Sequence, residues 1–160
     1  MNVLIIEDDD LKLSRLEDFL GRARPGADIE LAKSYKSGLK ALVTGVRSLV
    51  ILDMTLPSFD IQPGTDGGRP LILGGAELLR QMKRRSLNYP SVVVTGFDTF
   101  GLGNGAVTLE QLDNRFAGEF ADFYIGMVYF NATTDDWKDQ LRSLIDQVLQ
   151  GGLNDENPCS

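Results

Sequence analysis

The sequence contains no histidine among its 160 residues and only one cysteine, Cys159. Without histidine, the chain cannot build a histidine-based catalytic triad or a histidine metal site, and it cannot phosphorylate itself on histidine. A single cysteine cannot close a disulfide within the chain, which suits a reducing compartment. We therefore expect a cytoplasmic protein.

Long apolar runs and an excess of basic residues are also missing. The first apolar run, residues 3–6, is followed at once by acids and is too short for a signal peptide or a membrane span. Lysine and arginine together number 16 against 23 aspartates and glutamates, which gives a net charge of −7. An acidic chain repels nucleic-acid phosphates, so neither nucleic acid nor a membrane is an expected partner.

What the sequence does contain is an alternation of apolar runs and helix-like stretches. The predicted strands are residues 3–6, 29–32, 49–52, 92–95 and 123–130, and the predicted helices are residues 11–20, 34–43, 76–84, 107–120 and 134–148. The strands are continuously apolar, which indicates burial on both faces. This pattern predicts an α/β fold with a doubly wound, five-stranded parallel sheet over residues 1–150, followed by a disordered tail at 151–160.

Acids gather where the predicted strands end. Asp8 follows the first strand, Asp53 ends the third, and Thr95 ends the fourth. Ligands of open parallel sheets bind beyond these carboxyl ends, and carboxylates brought together there repel unless a cation such as Mg²⁺ joins them. A carboxylate beside bound Mg²⁺ can accept a phosphoryl group. Asp9 and Asp10, by contrast, are more typical of a helix N-terminus.

Four segments together resemble the receiver domains of two-component response regulators, over the chain to about Gln150. They are residues 3–9 (VLIIEDD), 50–57 (VILDMTLP), 75–79 (GAELL) and 92–96 (VVVTG). The resemblance implies the flavodoxin-like receiver topology and a phosphorelay role. Each motif alone is weak evidence, whereas all four in this order are specific to that family.

The resemblance also implies roles for individual residues. Asp53 would be the phosphoacceptor, and the Thr95 hydroxyl would contact the phosphoryl group and act as a switch. Asp8 would ligate Mg²⁺ directly together with Asp53, with help from Glu7 and from the backbone carbonyl of Thr55.

Two departures from the family pattern concern the same pocket. The family places a Lys-Pro pair at the end of the fifth strand, whereas Met127 or Val128 takes that place here, depending on the register. An insert running from Phe59 to Leu73 also separates the third strand from its helix. We expect the insert to lie near the pocket mouth, and its Arg69 is a candidate substitute for the lost lysine.

Three functions remain open on these observations. The first is a stand-alone receiver that is phosphorylated by a histidine kinase or phosphotransfer protein and then acts on a downstream protein partner. Under this function, a homodimer is one of the assemblies that the sequence allows. The second is a phosphorylation-independent pseudo-receiver that acts as an interaction module. The third is a Mg²⁺-dependent phosphatase-like enzyme with Asp53 as nucleophile, which usually needs a second acid where Thr55 stands. We expect a protein that is not an enzyme.

Overall fold

The structure is a computed structural model that describes residues 1–61, 63–64, 67–68, 73–101 and 103–155, with side chains described as far as Gly151. Within these residues it forms a five-stranded parallel sheet, flanked by α-helices on both faces, with the strands in the order Asp28–Ala32, Asn2–Ile6, Leu49–Leu52, Ser91–Thr95 and Tyr124–Tyr129. This confirms the α/β fold and the flavodoxin-like topology predicted from the sequence. No helix in the described ranges is long and apolar enough to cross a membrane.

The elements follow one another in a regular βα sequence. The strands of the main sheet are β1 (Asn2–Ile6), β2 (Asp28–Ala32), β3 (Leu49–Leu52), β4 (Ser91–Thr95) and β7 (Tyr124–Tyr129). The helices are α1 (Asp10–Ala23), α2 (Tyr35–Thr44), α3 (Gly74–Arg84), α4 (Leu109–Glu119) and α5 (Asp136–Asp155). A small antiparallel hairpin, β5 (Thr99–Phe100) and β6 (Val107–Thr108), lies between β4 and α4.

The sheet separates two apolar cores, as expected for strands whose residues alternate between two covered faces. One core packs α2, α3 and α4 against side chains such as Leu4, Val50 and Val93. The other packs α1 and α5 against the alternate residues, including Ile5 and Ile51. Because both faces of the sheet are covered, its edge at the carboxyl ends of the strands is the part left for a polar site.

Reciprocal capping boxes mark where α2 and α4 begin. At α2, Ser34 and Ser37 form a capping box in which each side chain bonds the other residue's backbone N–H. Thr108 and Gln111 form the same reciprocal pair at α4. Such caps satisfy backbone donors that have no partner within the helix, and they set the point at which the chain leaves the preceding loop.

The structure differs from the sequence predictions at two places. Residues 107–120 were predicted as one helix, but Val107 and Thr108 form β6 and pair with β5 across a turn containing Gly101 and Gly103. Both glycines have a positive φ, which a hairpin turn requires and other residues resist. The predicted tail was also placed too early, because α5 continues to Asp155; residues 156–160 lie outside the described residues.

Candidate functional site

Two neighbouring strands bring the acidic residues together. β1 pairs with β3 in parallel, and Ile6 lies opposite Leu52, so the residues that follow the two strands leave the sheet side by side. The backbone N–H of Asp53 continues this ladder by donating to the carbonyl of Ile6 at 3.1 Å. The N–H of Glu7 donates in the same way to Ala32 on the other side, at 2.9 Å. Glu7 and Asp53 are therefore held by backbone geometry.

Three carboxylates converge at this edge, namely those of Glu7, Asp8 and Asp53. One oxygen from each lies within 4.8 Å of the others. Glu7 and Asp53 are buried, at 2% and 7% exposure, whereas Asp8 is exposed. The structure thus brings together the three carboxylates that the sequence predicted as ligands, and the fourth predicted ligand, Thr55, lines the same cavity.

The backbone at the start of α3 packs directly against the loop that carries Asp53. A Cβ atom placed on Gly75 would lie 2.2 Å from the carbonyl oxygen of Asp53, closer than any real Cβ contact. The N–H of Gly75 donates to the carbonyl of Met54 at 2.9 Å, and the N–H of Met54 donates to Asp53 Oδ1 at 2.7 Å. Glycine at position 75 therefore allows the approach that fixes the carboxylate.

A lysine that the sequence analysis did not single out lies in the centre of the acidic group. The ammonium of Lys12, on the first turn of α1, lies 2.6 Å from Glu7 Oε2 and 3.3 Å from Asp53 Oδ1. The residue is only 5% exposed, and its ammonium lies over the ring of Phe130 at 6.0 Å from the centroid. A cation inside this pocket offsets part of the repulsion between two buried carboxylates.

The protonation of the pocket reflects its burial. Burial raises the pKa of Glu7 to about 7, against the opposing effect of Lys12 and with a further rise from the nearby Asp53. Burial also raises the pKa of Asp8, which lies closer to solvent. Negative charge is therefore costly here, and any additional cation that enters the site relieves that cost.

The neighbouring acids serve the helix, as the sequence indicated. Asp9 is the N-cap of α1, and its carboxylate accepts a hydrogen bond from the backbone N–H of Lys12 at 2.9 Å. Asp10 lies in the first turn and pairs with Lys33 at 3.0 Å on the surface. Asp9 thus fixes the turn of helix that carries Lys12.

The predicted switch residue lies next to the cavity. Thr95 is fully buried at the end of β4, and its hydroxyl accepts a hydrogen bond from the N–H of Phe97 at 3.2 Å. In the described part of the chain, the cavity lining includes Gly96 and Phe97 but not Thr95. Thr95 therefore directly precedes the two residues that line the cavity after β4.

The register of β7 corrects the prediction for the lost lysine. Met127 pairs with Val93 and Val128 with Val94, so neither ends the strand. Tyr129 does: it pairs with Thr95 and lines the cavity. The residue at the strand end is therefore a partly exposed tyrosine, and Arg69, the candidate substitute, lies outside the described residues.

A cavity of about 710 Å³ opens over the carboxylates. Part of its wall comes from the insert, through Ile61, Gly67 and Gly68, as expected for a segment that leaves the sheet beside Asp53. The start of the insert is fastened to α2, where the Ser37 hydroxyl donates to Asp60 at 2.7 Å. The described part of the insert thus borders the pocket, while the rest of it is outside the described residues.

Comparison with known proteins gives a consistent result, although no protein-family model matches the chain. It is 25% identical over 150 residues to the Detocs response regulatory protein DtcB of Enterobacter cloacae, covering 92% of this chain and all of that one. It is 27% identical over 146 residues to the uncharacterized protein y4jR of Sinorhizobium fredii, covering 89% and 95%.

Solved structures show the same fold. A response regulator receiver domain protein (CheY-like) from Methanospirillum hungatei superposes with a TM-score of 0.60 at 20% identity, covering 96% of this chain and 97% of that one. With its strand order and this likeness, the chain has the fold of a response-regulator receiver domain.

Proposed function

We propose that the protein is a receiver that accepts a phosphoryl group on Asp53 and signals by changing its contacts with another protein. The observation that carries this proposal is the convergence of Glu7, Asp8 and Asp53 at the carboxyl ends of β1 and β3. The donor would be a histidine kinase or a phosphotransfer protein, because the chain has no histidine of its own.

The donor set of the pocket suits Mg²⁺. Glu7, Asp8 and Asp53 offer carboxylate oxygens, and the backbone carbonyl of Thr55 is the fourth proposed ligand. The exposure of Asp8 leaves room on the solvent side for the waters that Mg²⁺ usually retains. Bound there, the ion would offset the negative charge on the transferring phosphoryl group.

The protein's own groups position the reacting carboxylate. The Met54 N–H holds Asp53 Oδ1 and fixes the plane of the carboxylate. Thr95, adjacent to the pocket, is the proposed switch: its hydroxyl would leave the Phe97 N–H to bond the phosphoryl group. That change would move the segment after β4, where Phe97 is exposed and able to meet a partner.

The test is incubation with acetyl phosphate, followed by intact mass measurement with and without Mg²⁺. We expect a single added phosphoryl group that depends on Mg²⁺ and is absent in Asp53→Asn. Labelling that persists in Asp53→Asn would place the acceptor elsewhere and refute the proposed site.

A second candidate function is a pseudo-receiver that binds partners without phosphorylation. The observation that favours it is the ion pair of Lys12 with Glu7 and Asp53, which already supplies a cation to the carboxylates. Under this function, the wild-type protein takes no label from acetyl phosphate at any Mg²⁺ concentration. Partner binding would then be the same for Asp53→Asn and for the wild type.

A further inference from the structure

We propose that Lys12, on α1, is the cation that binds the phosphoryl group in this receiver. In the family that it resembles, a lysine at the end of the last strand of the sheet, which is β7 here, contacts the phosphate. The proposal rests on the proposed phosphorylation of Asp53 and goes beyond it, because it assigns the residue that recognises the phosphoryl group. It replaces the expectation that the pocket lacks such a cation or borrows Arg69 from the insert.

The position of the ammonium supports this assignment. Lys12 lines the same cavity as Asp53, and its ammonium is 3.3 Å from Asp53 Oδ1. It also lies over the ring of Phe130, the residue that directly follows β7. The charge therefore lies near both the acceptor and the end of β7, although the backbone that carries it belongs to α1. Among the described residues that line the cavity, Lys12 is the one basic side chain.

The burial of Lys12 also supports a role beyond helix structure. Lysine is almost never fully buried unless paired, because removing an ammonium from water costs several kcal/mol. Its neighbours on the buried face of α1 are apolar: Leu13, Leu16 and Phe19. A surface position one residue away was available, since Leu11 is 54% exposed. A leucine in solvent beside a lysine in the interior indicates that the pocket requires the charge.

The phosphoryl step gives this charge a defined task. An oxygen of the Asp53 carboxylate forms a bond to phosphorus as the bond between phosphorus and the donor atom breaks, and the leaving group keeps that electron pair. The carboxylate, with one negative charge, becomes an acyl phosphate with two. Lys12 exchanges its contact with the Asp53 carboxylate for one with a phosphoryl oxygen, a charge-assisted hydrogen bond to a more highly charged group.

The experiment compares Lys12→Met, Lys12→Arg and the control Lys33→Met in the full chain. Lys33 is exposed and pairs with Asp10 near the same end of the sheet, so its loss changes the net charge equally without touching the pocket. The measurements are the acetyl-phosphate labelling rate and the dissociation constant for beryllofluoride in Mg²⁺, followed by Trp137 fluorescence. Trp137 contacts the ring of Phe130, with 5.1 Å between the ring centroids.

We expect Lys12→Met to weaken beryllofluoride binding by roughly tenfold or more, as is usual when one partner of a buried charged contact is removed. Lys12→Arg should retain part of the affinity, and Lys33→Met all of it. A fourth variant, Lys12→Met with Tyr129→Lys, returns a lysine to the end of the fifth strand and should recover affinity. A purely structural role of Lys12 would not produce that recovery. Thermal unfolding of each variant checks that it is folded.

Two results would overturn the assignment. If Lys12→Met labels and binds beryllofluoride like the wild type, Lys12 does not bind the phosphoryl group. If Lys12→Met instead binds Mg²⁺ alone more tightly and labels faster, Lys12 competes with the metal and inhibits the site. In both cases the wild type still labels, so the proposed function stands. A wild type that neither labels nor binds beryllofluoride refutes the function and the assignment together.

Discussion

Gly75 and Asp53 approach so closely that one added methyl group on the glycine would lie 2.2 Å from the aspartate's carbonyl oxygen. The contact is between two stretches of backbone, so no flexible side chain can move aside. It ties the N-terminus of α3 to the loop that carries the proposed phosphoacceptor.

Gly75→Ala should therefore displace the Asp53 loop and destabilise the fold by about 1–3 kcal/mol, the usual cost of overpacking. Its labelling by acetyl phosphate should slow as well. The matched control is Gly118→Ala in α4, where a new Cβ meets no atom within 4 Å. That variant should gain up to about 1 kcal/mol from helix propensity. Urea unfolding measures both; equal stabilities for the two variants would contradict the close approach.

Asp8 and Asp9 are adjacent in sequence but should respond differently to substitution. Asp8→Asn removes a proposed Mg²⁺ ligand and should weaken Mg²⁺ binding, with little effect on the unfolding free energy. Asp9→Ala removes the N-cap of α1 and should cost about 1 kcal/mol of stability. Mg²⁺ titration and urea unfolding of both variants test this pair. If Asp9→Ala weakens Mg²⁺ binding more than Asp8→Asn does, the ligand assignment is wrong.

Tyr124 should make the folded protein less stable at alkaline pH. Its hydroxyl donates to Asp113 at 2.5 Å, and burial together with that carboxylate raises the pKa of Tyr124 above its usual value. Above about pH 10 the unfolded tyrosine loses its proton while the folded one keeps it, so stability falls as pH rises further. Below that pH both states hold the proton and this effect is absent.

Tyr124→Phe should therefore show a shallower loss of stability between pH 9 and pH 11, roughly a unit either side of the ordinary tyrosine pKa. It should also lose about 1 kcal/mol at neutral pH with its hydrogen bond. Tyr129→Phe, which alters a partly exposed ring, is the control. The measurement is the unfolding midpoint of each protein across this pH range. If the midpoint falls with pH equally in the wild type and both variants, the effect of Tyr124 is ruled out.

The insert offers a test of access to the pocket. Its described part packs on α2, through the Ser37–Asp60 hydrogen bond and through Lys36 over the ring of Phe59 at 5.7 Å. Replacing residues 59–73 with a brief glycine-containing turn should raise the acetyl-phosphate labelling rate or abolish partner binding, with the fold intact. The segment serves packing alone if the shortened protein folds, labels and binds its partner unchanged.

The main sheet could be predicted from sequence because its strands are short runs of β-branched and aliphatic residues, a pattern that depends little on distant parts of the chain. The hairpin of β5 and β6 could not. Its strands have only two residues each, and its turn is glycine-rich, so local propensity favours a loop. Contacts between residues distant in sequence stabilise it: Thr99 pairs with Thr108, Phe100 pairs with Val107, and Phe100 is buried in the core.

The acidic residues of the site were predicted from their positions at strand ends, whereas its lysine was missed. The signal was nevertheless present: Lys12, Leu16 and Phe19 have the spacing of one helix face, so a charge stood on the apolar face of α1. Leu11, the apolar residue at the start of the predicted helix over residues 11–20, is exposed instead. When a lysine and a leucine are adjacent at the start of a helix, the lysine is ordinarily exposed and the leucine buried. Only the fold shows that Lys12 is buried here and Leu11 is exposed.

Because Lys12 is on α1, residues 7–12 carry both the proposed metal ligands Glu7 and Asp8 and their counter-charge. The end of β7 then carries no electrostatic requirement for a cation, so an uncharged residue such as Tyr129 can line the cavity there.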